Sequence, residues 1–305
     1  AVSGAGGFGC LGMVREPPSL ITREIAAVRQ RTDKPFGVNL IPAATDPKLF
    51  DEELAACLEV KVHAMVYFWD VVPSAVAKAK AAGCRVLYQV GSVEQALAAE
   101  AAGADAVIAQ GVEAGGHVHG HVSSLVLLPQ VAQAVRVPVV GSGGFASGAS
   151  LVAARALGAQ GIHCGTAFVA AAESFAHQIH KDHIVAANSQ DTVHTDAFAI
   201  NWPPNSPVRV IASSETDRLG LEPLDDSLGR PRKRVEIVQT RASSRDFGSE
   251  HSASRRVERP LRRVPRGVQT PGLLELRQRI DHGRWDNSCA CADNRRRRRR
   301  RRFRD

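Results

Sequence analysis

Between residue 8 and about residue 170 the chain repeats one pattern: a short apolar run, a polar loop, then an alanine-rich amphipathic stretch. The apolar runs are Phe8–Met13, Phe36–Ile41, Ala64–Trp69, Arg85–Val90, Ala106–Gly111, Pro138–Gly144 and Gly161–Val169. They are continuous rather than alternating, which predicts strands covered on both faces. Amphipathic stretches lie between them, among them Ser19–Arg31, Pro73–Ala82, Val93–Ala102, Leu125–Val135 and Ser147–Leu157. Strands and helices in alternation predict βαβ units and a parallel sheet.

Seven strands can be counted, whereas a closed barrel has eight. The opening Ala1-Val-Ser-Gly-Ala-Gly-Gly7 reads as a helix end with a glycine C-cap, so the pattern expects a strand and most of a helix ahead of it. The expected fold is therefore α/β, a (β/α)8 TIM barrel whose first strand is missing. An open, doubly wound sheet of seven strands is the alternative, and periodicity alone does not separate the two.

After Ile211 the pattern stops. The expected organisation is a barrel body over residues 1–215 and a low-complexity tail over 216–305, rich in Arg, Ser and Pro and ending in Arg295–Arg302. Such a composition buries too little apolar surface to offset its chain entropy, so the tail is expected to be disordered, with a helical turn or two at Pro271–Ile280. The formal net charge of +8 divides unevenly. Residues 1–215 hold 14 Lys+Arg and 18 Asp+Glu, a net of −4; residues 216–305 hold 25 and 13, a net of +12. Any nucleic-acid role thus rests on the tail, where only Phe303 follows the arginines and no aromatic residues interleave with them to stack bases. No apolar run reaches 18 residues and no charged-then-apolar leader opens the chain. The cysteines are scattered, and Cys289 and Cys291 have no second pair to complete a zinc site. These features lead to an expectation of reduced thiols in a cytoplasmic protein.

Three loops at strand C-termini, the face that carries the chemistry in barrels, hold the candidate site. In the run Gly141-Ser-Gly-Gly144-Phe-Ala-Ser-Gly148, the glycines open the backbone to a ligand ahead of a helix N-terminus suited to phosphate. The run His163-Cys164-Gly165-Thr166 ends the next strand, and the pair of loops points to a phosphate-bearing ligand. The third loop, Gln110-Gly-Val-Glu-Ala-Gly-Gly-His117-Val-His119-Gly-His121, presents His117 after two glycines, with a histidine's usual capacity for proton transfer. Simple tight turns, a backbone-bonded loop histidine, or a metal held by the three alternating histidines are competing readings. The glycine-rich lead-in speaks for a loop and against the metal.

At these residues the chain resembles the nitronate monooxygenase family, also called 2-nitropropane dioxygenases. Ala106-Val-Ile-Ala-Gln-Gly-Val-Glu-Ala-Gly-Gly-His117 resembles the family's signature segment. The likeness extends through Phe36-Gly-Val-Asn-Leu40, Phe68-Trp-Asp70, Pro138-Val-Val-Gly-Ser-Gly-Gly144 and Gly165-Thr-Ala-Phe168 to Trp202-Pro-Pro-Asn205, about residues 1–212 in all. The resemblance implies FMN, a barrel, and oxidation of alkyl nitronates by O2. Carried over, it implies that Asn39, Gln110, Gly115, Gly143 and the run His163–Thr166 contact FMN, with Gly144 beside them, and that His117 is the catalytic base. The sequence leaves open an FMN-dependent enoyl-ACP or NADH:quinone reductase of the same barrel. From other classes it leaves open a polyanion binder acting through the arginines, or an inactive fragment.

Overall fold

The computed structural model describes residues 1–199 and 202–221. The expectations for the tail beyond residue 221, namely its disorder, the turns at Pro271–Ile280, the pair Cys289/Cys291 and the run Arg295–Arg302, lie outside the described residues.

Each apolar run forms a strand: β1 (Gly9–Gly12), β2 (Phe36–Leu40), β3 (Ala64–Phe68), β4 (Arg85–Val90), β5 (Ala106–Gln110), then, after the two-residue β6 (Gly116–His117), β7 (Val139–Ser142) and β8 (Gly161–His163). The helices between them are α1 (Pro18–Arg29), α2 (Pro47–Glu59), α3 (Pro73–Ala81), α4 (Val93–Ala101), α5 (Ser124–Ala134) and α6 (Gly148–Ala156). The sheet order is β1-β2-β3-β4-β5-β7-β8, with every neighbouring pair parallel. Strands that follow one another around a sheet in chain order are the order of a (β/α)8 barrel. A doubly wound sheet reverses direction at a switch point, and this one does not. The fold is thus α/β and TIM-barrel-like, with seven strands in its large sheet among the described residues.

Side chains explain the fit between layers. Helices α3, α4 and α6 meet the sheet through Ala75, Val76, Ala79, Ala96, Ala99 and Ala154, all wholly or almost wholly buried. Small residues let these helices lie close against the strands. On the sheet, Tyr67 and Tyr88 lie 5.6 Å apart, ring centre to ring centre, and are fully buried. The Tyr88 hydroxyl donates to the Asp70 carbonyl (2.7 Å) and accepts from the Val72 amide (3.0 Å). One core tyrosine thereby fixes the loop after β3.

Three local expectations need correction. Helix α2 is absent from the apolar periodicity read above, although Pro47 in its first turn and Asp46, which accepts from the amides of Lys48 and Leu49, are ordinary start signals. The run Gly161–Val169 is a strand only to His163; after Gly165 the chain turns into the short α7 (Thr166–Val169), opened by the Phe168 amide donating to the Gly165 carbonyl. The stretch around His117, read as a loop, holds a strand. β6 pairs antiparallel with β10 (Val208–Ile211), which pairs in turn with β9 (Thr192–Thr195). Helix α8 (Gln178–Ala186) precedes this small sheet and α9 (Ser214–Arg218) follows it. The partner of β6 lies about ninety residues downstream, where local pattern carries no trace of it.

Candidate active site

The site is built on one row of the large sheet. Gln110, Ser142 and His163 stand side by side at the ends of β5, β7 and β8. The Ser142 hydroxyl lies 3.1 Å from His163 Nδ1, and burial pushes the His163 imidazole below its ordinary pKa. Beyond this row the loops rise around a cavity of about 1170 Å³. Its walls include Gln110, Gly115, His117, Gly143, Gly144, His163, Gly165 and Thr166. Asn39 and Cys164 are not among them: the Asn39 amide reaches sideways to the Val66 carbonyl (2.9 Å), and Cys164 is a half-buried free thiol.

Backbone shape, more than side chains, forms one side of this cavity. Gly143 (φ +93°) and Gly144 (φ +73°) are both left-handed, a conformation side chains rarely adopt. A Cβ on Gly143 would also stand 3.0 Å from the Gly111 carbonyl oxygen. Across the gap, a Cβ on Gly115 would lie 2.6 Å from Thr166 Oγ1. Glu113 shapes the same loop by accepting from the Ser124 amide at 3.0 Å and from the Ser124 hydroxyl at the start of α5. A cradle of glycines on two adjacent strand ends, with no side chain filling it, fits a phosphate and a flat ring system.

His117 reaches the cavity wall from an aromatic cluster whose tryptophans are not among the lining residues. The imidazole of His117 stacks on the indole of Trp202, 3.6 Å between centres and 15° between planes. Trp69 meets Trp202 edge-on at 5.2 Å and His117 at 6.5 Å. Trp69 is buried and holds φ +80°, a strained value for a large side chain. Phe68, Ile41 and Ala44 back this cluster, and the Arg15 guanidinium carbon lies 5.9 Å from the Trp202 ring centre. Burial pushes the His117 pKa down to about 4, with the charge of Arg15 acting in the same direction. Its Nε2 is buried without a hydrogen-bond partner. Gln110 holds the segment in place, its amide donating to the His117 carbonyl (3.0 Å) and its oxygen accepting from the His119 amide (3.4 Å).

The neighbouring histidines separate. His121 is exposed. His119 packs its ring on Trp69 at 4.3 Å, with Gln95 at 2.8 Å from Nδ1 and Asp70 at 3.4 Å from Nε2. It belongs to the same aromatic group, two residues on from His117 with the wholly buried Val118 between them. Sequence reasoning also gave no role to Trp69, Trp202 or Arg15. The signal open to it was that two of only three tryptophans fall in segments carrying the family likeness.

The profile of the nitronate monooxygenase family matches residues 1–222. The chain belongs to this family. Its members are generally flavin-dependent oxidoreductases, and the chain is an enzyme of this kind. It is 33% identical over 238 residues to a Bacillus subtilis protein named "Probable nitronate monooxygenase", covering 65% of this chain and 69% of that one. The solved structure of FabK from Thermotoga maritima is similar at 38% identity and a TM-score of 0.66, over 72% of this chain and 67% of that one. Nitroalkane oxidase from Streptomyces ansochromogenes is similar at 32% identity and a TM-score of 0.63, over 72% of this chain and 73% of that one. Among the described residues no helix is long and apolar enough to cross a membrane.

Proposed function

We propose that the chain binds FMN and oxidises alkyl nitronates with O2, giving a carbonyl compound and nitrite. The observation that carries this reading is one cavity lined both by the glycine loops and by His117, whose ring stacks on Trp202. Gly143, Gly144, Gly165 and Thr166 would hold the phosphate of FMN through their backbone, and Gln110, Gly115 and His163 would lie along the rest of the cofactor. Asn39 and Cys164, which the family resemblance adds to this set, would act from just outside the cavity wall. Bound there, FMN supplies the electron transfer and the reaction with O2.

The protein's own part is placement and proton handling. A neutral imidazole accepts a proton, and His117 is neutral throughout the ordinary pH range because its pKa is held near 4. Its unpartnered Nε2 is the acceptor atom for the acidic carbon-bound proton of a neutral nitroalkane, or the atom that orients a nitronate already ionised. The apolar cluster of Phe68, Trp69 and Trp202 keeps water from that atom.

A second reading keeps the flavin and changes the donor: an FMN-dependent enoyl-ACP or quinone reductase. It is favoured by the similarity to FabK, at 38% identity. One experiment tests both. The full chain is purified, its visible spectrum recorded for bound flavin, and the product mixed separately with a nitronate under O2 and with NADH anaerobically. Nitrite release with indifference to NADH is the expected result. Rapid bleaching by NADH without nitrite release replaces the first reading with the second, and failure to retain flavin overturns both. A body over residues 1–215 with a dispensable tail, acting in the cytoplasm, belongs to the same proposal; limited proteolysis that trims the tail and spares the body is its check.

A further inference from the structure

His117 is unusual in how completely its surroundings are supplied by other parts of the chain. Its backbone is paired to Val208 of β10. Its ring lies face to face with Trp202, six residues before that strand residue, at 3.6 Å and 15°. Trp202 in turn has the Arg15 guanidinium 5.9 Å from its centre, brought from the loop after β1. Arg15 is itself well anchored: its φ of +61° is left-handed, and its Nε donates to the Ala44 carbonyl. Beneath that loop lies Glu53 of α2, wholly buried, with its carboxylate against the backbone of Arg15 and Glu16. Both Arg15 and Trp69, on two sides of the indole, are non-glycine residues in a costly backbone conformation. Strain of this kind persists only where the surroundings over-determine it, and two of the four left-handed non-glycine residues among the described residues contact this indole.

Resting on the reading of His117 as the proton-handling residue, we propose that Trp202 and Arg15 are its positioning residues. The indole fixes the plane of the ring and excludes water from it, and the guanidinium sets its protonation state by charge. Neither is assigned contact with the reacting atoms. Among the charged and titratable groups on the elements packed around the ring, Arg209 of β10 donates to Thr192 and to the Val112 carbonyl. Arg15 lies on the β1–α1 loop, with Glu53 of α2 behind it. His119 follows β6, and Asp70 on the loop after β3 is paired to His119. Arg15 and the burial itself disfavour a charge on His117, whereas the negative charge of Asp70 is held on His119. Removing the cation or opening the indole face to water therefore moves the imidazole toward its ordinary behaviour.

The test is a histidine-labelled NMR titration of the full chain, with the His117 signal identified by its loss in His117→Gln. Wild type should titrate near pH 4. Arg15→Met should raise that midpoint, by less than exposure of the ring to water does, and Arg15→Lys should bring it back. Trp202→Leu should raise it as well, while Trp202→Phe, which keeps a stacking ring, should stay close to wild type. The acid limb of the pH profile for nitroalkane turnover should move with the midpoint in each variant. A wild-type midpoint near 6.5 overturns the proposal, as does a midpoint unmoved in both Arg15→Met and Trp202→Leu. Failure of Arg15→Lys to restore it removes the guanidinium's charge from the account. The titration needs no turnover, so a wild-type chain inert toward nitronates would defeat the proposed function and leave this result standing on its own.

Discussion

The glycine loops of the cavity and the surroundings of its histidine are built by opposite means. The wall formed by Gly115, Gly143, Gly144 and Gly165 is made of backbone, and its residues come from loops following consecutive strands of the large sheet. The cluster of Trp69, Trp202, His117 and Arg15, of which His117 alone lines the cavity, is made of large side chains gathered from separate elements. The first has space because side chains are absent; the second excludes water because they are present. A ligand with a phosphate and a flat ring suits the first, and proton transfer at a desolvated nitrogen suits the second. The contrast teaches that one cavity here joins two different problems in recognition, each with its own kind of residue.

The comparison breaks most readily at His117. In a chain that binds FMN, His117→Ala should keep the flavin and lower turnover of neutral nitroalkanes roughly 10²- to 10⁴-fold. Nitronates, whose proton is already gone, should lose less. In wild type the proton-abstraction step should stay flat as pH falls from 8 to about 5, because the accepting form persists above a pKa of about 4. Retained flavin with undiminished turnover of neutral nitroalkanes would remove His117 from the chemistry.

The glycine wall is tested by Gly143→Val. The left-handed backbone and the nearby Gly111 carbonyl make any side chain costly, on the order of 1–3 kcal/mol. Loss of at least about tenfold in FMN affinity should follow, read by quenching of flavin fluorescence. Activity on bound flavin should change less than affinity, and an unchanged affinity would show that this loop does not cradle the cofactor.

Glu53 offers a smaller effect and a defined sign. Burial raises its pKa from 4.5 to about 7. Between those values the folded chain holds a proton that the unfolded chain has released, so stability falls as pH rises through this window. Above pH 7 the full cost of the buried charge is present, on the order of 3 kcal/mol. Glu53→Gln should therefore raise Tm at pH 8 and flatten the decline between pH 5 and pH 8. A pH dependence identical to wild type would mean that this carboxylate is already compensated. Smallest of all should be Lys80→Ala, outside both groups. Asp105 keeps Arg85 at 2.9 Å and the Val86 amide at 2.8 Å, so the partly exposed pair should be worth about 0.2–1 kcal/mol by thermal unfolding.

The same contrast governs what could be read from the chain alone. All seven large-sheet strands were visible as apolar runs; the inner ones, β2, β3 and β5 above all, are covered on both faces and need apolar residues at nearly every position. Gly143-Gly144 stood out for a local reason as well: a left-handed backbone demands glycine wherever the fold finally places it. The pairing of β6 with β10 was illegible, since two residues in a glycine-rich stretch have no periodicity to display. Trp202 was quoted as part of a resemblance but given no role, because its stacking on His117 depends on a contact across 85 positions. The place of His119 beside Trp69 was illegible for a similar reason, since it depends on a contact across fifty positions.

The pairing of Val208 with His117 also bears on how the molecule is made. Loop closure over so long a stretch of chain is slow compared with the local pairing of successive βα units. During synthesis the large sheet can accumulate strand by strand while the histidine segment waits for residues that have not yet left the ribosome. The imidazole acquires its stacking partner and its paired backbone only when the chain has been translated past Ile211. A nascent chain thus has its glycine loops long before it has an ordered histidine.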